Sequence, residues 1–65
     1  MDAYTIMRQW DEEAGIPPRS DEDLDQDVPA GLISGDYEDW KARLEDNDVA
    51  AILEGRQCWG LPALV

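Results

Sequence analysis

Asp2-Ala3-Tyr4-Thr5-Ile6-Met7-Arg8-Gln9-Trp10-Asp11-Glu12-Glu13-Ala14-Gly15 reads as one complete helix with both ends marked. Ala3, Ile6, Met7, Trp10 and Ala14 recur at helical spacing and make one apolar stripe. Asp2 stands where a capping side chain accepts a free backbone N–H. Gly15 supplies the stop, and Pro17-Pro18 prevents continuation. The polar face ends in Asp11, Glu12 and Glu13, near the negative end of the helix dipole. Local helix stability does not account for three acids there, so they become candidates for an outside role.

Further along, the signals are shorter. Ser20 can cap a short helix with Asp21, Glu22 and Asp23 in its favoured first turn, and Leu24 and Val28 facing inward. An extended acidic loop is the alternative for this stretch. Pro29 and Gly31 break it, Leu32-Ile33 plugs the core, and Ser34-Gly35 marks a turn. A second clear helix runs from about Asp36 to Glu45 on the stripe Tyr37, Trp40 and Leu44, with Lys41 and Arg43 on or beside its polar face. Asp46-Asn47-Asp48 interrupts it and offers new caps. Val49, Ala50, Ile52 and Leu53 then form a short third helix that Gly55 ends. Gly60 and Pro62 predict that Cys58 to Val65 packs back as an extended apolar tail or pairs as a short strand. An exposed tail would be an association site instead.

The expected fold is therefore mostly α. It is one small domain over residues 1–65, a bundle of two to four short helices with an extended apolar C-terminal tail or short strand. Trp10, Trp40 and Trp59 come from separate segments and are expected to meet in one core. A chain of 65 residues buries only about 60% of the surface its unfolded form exposes. A core of that size supplies about 3–5 kcal/mol of net stability.

Charge dominates the rest. Ten Asp and six Glu face four Arg and one Lys, for a net charge of -11. Such an excess repels nucleic acid and anionic membrane surfaces and attracts basic ones. It also suits a disordered chain, but three Trp and two Tyr argue for a folded core. The same repulsion opposes compaction, so screening should stabilise the fold. The melting temperature is expected to rise from low to moderate NaCl; a fall would contradict this.

Several chemistries are missing. The sequence has no His, which removes histidine-dependent triads and His-built zinc sites. Cys58 is the single cysteine, so no intrachain disulfide forms, as suits a reducing cytosol. No Gly-rich phosphate loop is present. Asp21, Asp23, Asp25 and Asp27 alternate like the start of a calcium loop, but the required Gly and Glu positions hold Gln26 and Leu32, or Val28 and Ser34. No cofactor, metal or catalytic residue is expected. No signal segment or membrane span is read, and a monomer in the cytoplasm is expected.

The acidic clusters remain. Residues 11–27 hold Asp11, Glu12, Glu13, Asp21, Glu22, Asp23, Asp25 and Asp27 against Arg19 alone. Residues 36–48 hold Asp36, Glu38, Asp39, Glu45, Asp46 and Asp48 against Lys41 and Arg43. Five carboxylates between Ser20 and Asp27, if helical, lie along roughly 12 Å, or about one per 2.4 Å. Duplex DNA carries one charge per about 1.7 Å. A groove lined with Lys and Arg would meet a substitute for phosphates, so all fourteen residues are candidate partner contacts. The alternative is a solvated face that maintains solubility.

In its length, its charge and its runs Asp11-Glu12-Glu13, Asp21-Glu22-Asp23 and Asp46-Asn47-Asp48, the chain resembles small phage-encoded anti-CRISPR proteins. The likeness is to the acidic DNA mimics that inhibit type I systems, type I-C among them. It implies binding to a crRNA-guided ribonucleoprotein complex, blocked loading of target DNA, and a host cytoplasm as the place of action. It transfers no individual residue role. Two other readings fit the same sequence. One is an inhibitor of a restriction enzyme or another basic DNA-binding host protein. The other is an antitoxin or adaptor that docks through its apolar tail, Cys58 to Val65.

Overall fold

A cap opens each helix in the computed structural model, which describes residues 1–32 and 35–62. Asp2 accepts from the Thr5 N–H at 3.0 Å and starts α1, Ala3–Ala14. Ser20 accepts from the Asp23 N–H at 3.2 Å and starts α2, Asp21–Asp27. Asp36 accepts from Glu38 and Asp39 and starts α3, Tyr37–Glu45. Asp48 accepts from Ala50 and Ala51 and starts α4, Val49–Cys58. Each cap satisfies N–H groups that a helix leaves without internal partners. Part of the acidic composition is thus spent on starting helices.

α1 ends as its sequence predicts. Gly15 adopts φ +77°, and the Ile16 N–H reaches back to the Asp11 carbonyl at 2.8 Å. α2 runs on into a 3-10 turn, Val28–Gly31, with Pro29 in its first turn. α1 packs against both α2 and α3, and α3 packs against α4. Ala3, Met7, Trp10, Leu24, Val28, Trp40, Leu44 and Ala51 make the core, with Leu32, Tyr37 and Trp59 against its edge. The three tryptophans meet: Trp10 lies 6.2 Å from Trp40 and 5.1 Å from Trp59, ring centre to ring centre. The Trp40 indole N–H donates to the Ala51 carbonyl at 3.0 Å and ties α3 to α4.

The mostly α single-domain architecture is as expected, and the open question over residues 19–35 resolves, for the described ones, to α2 at Asp21–Asp27 followed by the 3-10 turn at Val28–Gly31. Two expectations are corrected. Gly55 does not end α4, which continues to Cys58. A Cβ at Gly55 would strike the rings of Trp10 and Trp40, so glycine is there for close approach and not as a stop. The tail therefore begins later than Cys58, and no strand occurs among the described residues. Ile33 and Ser34, with residues 63–65 of the predicted tail, lie outside the described residues.

Candidate functional site

The fourteen candidate carboxylates divide into those the fold uses and those it leaves to solvent. Asp11 belongs wholly to the fold, which corrects its reading as a partner contact. It sits on the buried side of α1, one turn after Met7, with none of its surface exposed. Arg19 donates to it through Nη2 at 2.6 Å and Nε at 3.2 Å, and the Trp59 indole N–H donates at 2.8 Å. The Arg19 guanidinium also lies 5.7 Å from the Trp59 ring centre. Burial alone would raise the Asp11 carboxyl. The hydrogen bonds from Arg19 and Trp59 outweigh it and hold the group below the ordinary range.

α2 is fastened by three cations from three other segments. Arg8 of α1 pairs with Asp21. Arg19 reaches past Asp11 to Asp27 at 2.6 Å. Lys41 of α3 stands 3.7 Å from Asp25 and 3.2 Å from Glu38. Asp25 also accepts from the Tyr4 and Tyr37 hydroxyls, each at 2.8 Å. Lys41 lies over both phenol rings and donates to the Tyr4 oxygen at 2.9 Å. The hydroxyls of Tyr37 and then Tyr4 lower the Asp25 carboxyl. Burial, and then the bond to Asp25, raises the Tyr37 phenol.

Elsewhere, Glu13 receives the Arg56 guanidinium at 2.9 Å, and Arg56 Nε donates to the Pro62 carbonyl. Glu45 accepts from the Ala3 N–H at 3.1 Å and so serves the start of α1 from the end of α3. Asp36 is a cap, and Asp48 combines its cap with an ion pair to Arg43 at 3.0 Å. Arg43, then the backbone of Ala51, lowers the Asp48 carboxyl.

What remains is a smaller set than the sequence suggested. Among the described residues, Glu12, Glu22, Asp23, Asp39 and Asp46 make no side-chain hydrogen bond and no contact ion pair. All five are exposed. Meanwhile Arg8, Arg19, Lys41, Arg43 and Arg56 each face a carboxylate of the same chain. The charge left over at the surface is negative. On α2, where the spacing came closest to that of DNA, three of five carboxylates already hold a cation, and Glu22 and Asp23 stay open.

The depressed carboxyls set an acid limit. An Asp in the unfolded chain titrates near pH 3.9. Asp11, Asp25 and Asp48 have lower values in the fold, so what they contribute is complete above about pH 4 and is lost as pH falls through those values. Tyr37 sets the opposite limit. Its raised phenol contributes below about pH 10, the ordinary tyrosine value, and that contribution is lost above it. Tryptophan fluorescence melts across pH 2 to 11 should show the melting temperature falling at both ends. A midpoint that is flat or rising between pH 4 and 2 would contradict the acid half.

Other sites offer little chemistry. No group of three or more His, Cys, Asp or Glu among the described residues is arranged to hold a metal ion. No helix among them is long and apolar enough to cross a membrane. A small pocket of about 150 Å³ lies between Ile16, Arg19, Asp27, Val28, Gly31, Cys58 and Trp59. The Cys58 thiol donates to the Gly31 carbonyl there, and burial raises its pKa.

A comparison with family models, with curated proteins and with solved structures found no match.

Proposed function

We propose that this chain is an inhibitor that occupies a basic nucleic-acid-binding surface of a host defence complex and blocks target DNA binding by presenting DNA-like charge. A CRISPR surveillance complex is the partner that the sequence resemblance suggests, and the host cytoplasm is where the contact would occur. The protein acts by binding and not by catalysis.

One observation carries this reading. Each of the five Lys and Arg side chains is turned to a carboxylate of its own chain, while Glu12, Glu22, Asp23, Asp39 and Asp46 are left without side-chain hydrogen bond or contact ion pair. Charge of one sign is thereby left for a partner. A net charge of -11 on 65 residues opposes folding by self-repulsion, and that cost is offset when a cationic groove neutralises it. Association should be fast, steered and sensitive to salt.

The same division decides which variants test the reading. Reversing Asp21 or Asp25 would also break the pairs with Arg8 and Lys41, mixing stability with binding. Glu12→Gln, Glu22→Gln, Asp23→Asn, Asp39→Asn and Asp46→Asn combined remove charge and leave every ion pair in place. Glu22, Asp23 and Asp39 lie in favoured first turns, each worth about 0.3–1 kcal/mol, and relief of self-repulsion opposes that loss, so the helical fold should be retained. Inhibition of target DNA binding by the partner complex should drop by at least about tenfold, the loss of roughly 1.4 kcal/mol of contact energy. Full inhibition by this variant, folded as judged by circular dichroism, would refute the reading.

A further inference from the structure

α1, α2 and α3 all turn acid outward: Glu12 and Glu13 on the first, Asp21 through Asp27 on the second apart from Leu24 and Gln26, and Glu38, Asp39 and Glu45 on the third. α4 differs. Its exposed positions are Val49, Ala50, Leu53 and Gln57, which fall on one stripe at helical spacing and carry no charge. Val49 is 67% exposed and Leu53 is 37% exposed. Leu53 continues into a shallow groove with Gln57, Gly60 and Leu61. Arg56 borders that groove, but its guanidinium is taken by Glu13 and the Pro62 carbonyl.

Single exposed apolar residues are ordinary on any surface. The stripe is bordered on α4 by half-buried Glu54, but its own exposed positions carry no charge; that is a different matter on a chain so heavily charged, because solubility alone would place acids there too. Asp46, which makes no side-chain hydrogen bond or ion pair, ends α3 two residues before the Asp48 cap of α4.

We propose that the outer face of α4 anchors a basic protein surface. An apolar side chain of the partner seats on Val49 and Leu53 while its Lys and Arg residues meet neighbouring carboxylates such as Asp46. This rests on the reading above, that the partner is cationic, and it names what the contact has beyond charge. The sign of the field selects the occupant. A second copy of this chain would bring -11 against -11, and nucleic acid or an anionic membrane is repelled in the same way. A basic protein is drawn in. Duplex DNA offers nothing like an apolar helix face, so this stripe would give the chain a hold that salt does not screen.

Two synthetic helical peptides of equal positive charge test this, one built of Lys and Ala and the other with a Leu stripe opposite its Lys face. At moderate salt the Leu-striped peptide should bind the full chain about tenfold more tightly, as burial of apolar side chains implies. It should shift the methyl NMR signals of Val49 and Leu53. Val49→Ser with Leu53→Ser should erase the difference and leave binding of the Lys/Ala peptide unchanged, with the helical circular dichroism retained. Equal binding of the two peptides by the native chain would overturn the proposal. So would a difference that survives in the double variant, or a dimer of the chain that the double variant dissolves. Where the Lys/Ala peptide still binds, these results defeat the anchor alone. A chain that binds neither peptide would tell against a cationic partner as well.

Discussion

Replacing Asp11 with alanine is expected to abolish the cooperative thermal transition. Asp11 is fully buried and accepts hydrogen bonds from Arg19 and from the Trp59 indole. The substitution leaves the Trp59 indole N–H and the Arg19 Nε and Nη2 without their acceptor at the meeting point of α1, the residues that precede α2, and the turn after α4, while Asp27 still holds Arg19 Nη1. Removing one partner of a fully buried ion pair costs about 3–5 kcal/mol, and the partial exposure of Arg19 and its remaining pair with Asp27 put this change at the low end of that range. A 65-residue core supplies about the same amount in total. The variant should therefore show weakened near-ultraviolet circular dichroism and tryptophan emission moved toward that of the unfolded chain. Asp11→Asn keeps the volume and one acceptor oxygen and should lose less. A sharp transition in Asp11→Ala within a few degrees of the native midpoint would mean that this pair does not hold the fold.

Gly55→Ala should be the next most damaging change, against the usual direction for a glycine inside a helix. On an open helix face alanine is worth about 1 kcal/mol over glycine. At this position the added methyl meets the rings of Trp10 and Trp40. Neither ring can yield freely, because both are buried and Trp40 is tied to the Ala51 carbonyl. Forcing a methyl into a well-packed core costs about 1–3 kcal/mol, which outweighs the propensity gain. The denaturation midpoint should fall in Gly55→Ala and fall further in Gly55→Val. A rise in Gly55→Ala would show that α4 stands off from the tryptophans.

These two positions also mark where sequence reasoning stopped short. Caps and stops are local chemistry, so Asp2, Gly15, Ser20, Asp36 and Asp48 were legible as helix boundaries, and the stripes of α1 and α3 identified the core. Gly55 was not, because a helix stop and a close helix contact leave the same letter, and only packing separates them. Asp11 looked like the first of three solvent acids. Its position one turn beyond Met7 and next to Trp10 was the available signal. Arg19, the only cation among residues 11–27, and the need of a half-buried indole for an acceptor were two more. The acidic site was legible as a composition but not as a set of contacts. Which carboxylate meets which cation depends on how α1, α2 and α3 pack, and that packing buries Asp11, gives eight of the fourteen candidates a contact within the chain, and leaves five with no side-chain hydrogen bond or contact ion pair.

Whether the open acids meet a cationic channel is most directly measured by displacement. The complex between this chain and its captured partner is titrated with duplex DNA at low and at moderate salt, with bound chain as the readout. DNA should release the chain competitively, and the affinity of the chain should weaken as salt rises. Retention of the chain by a partner saturated with DNA, at an affinity that salt does not change, would contradict the account.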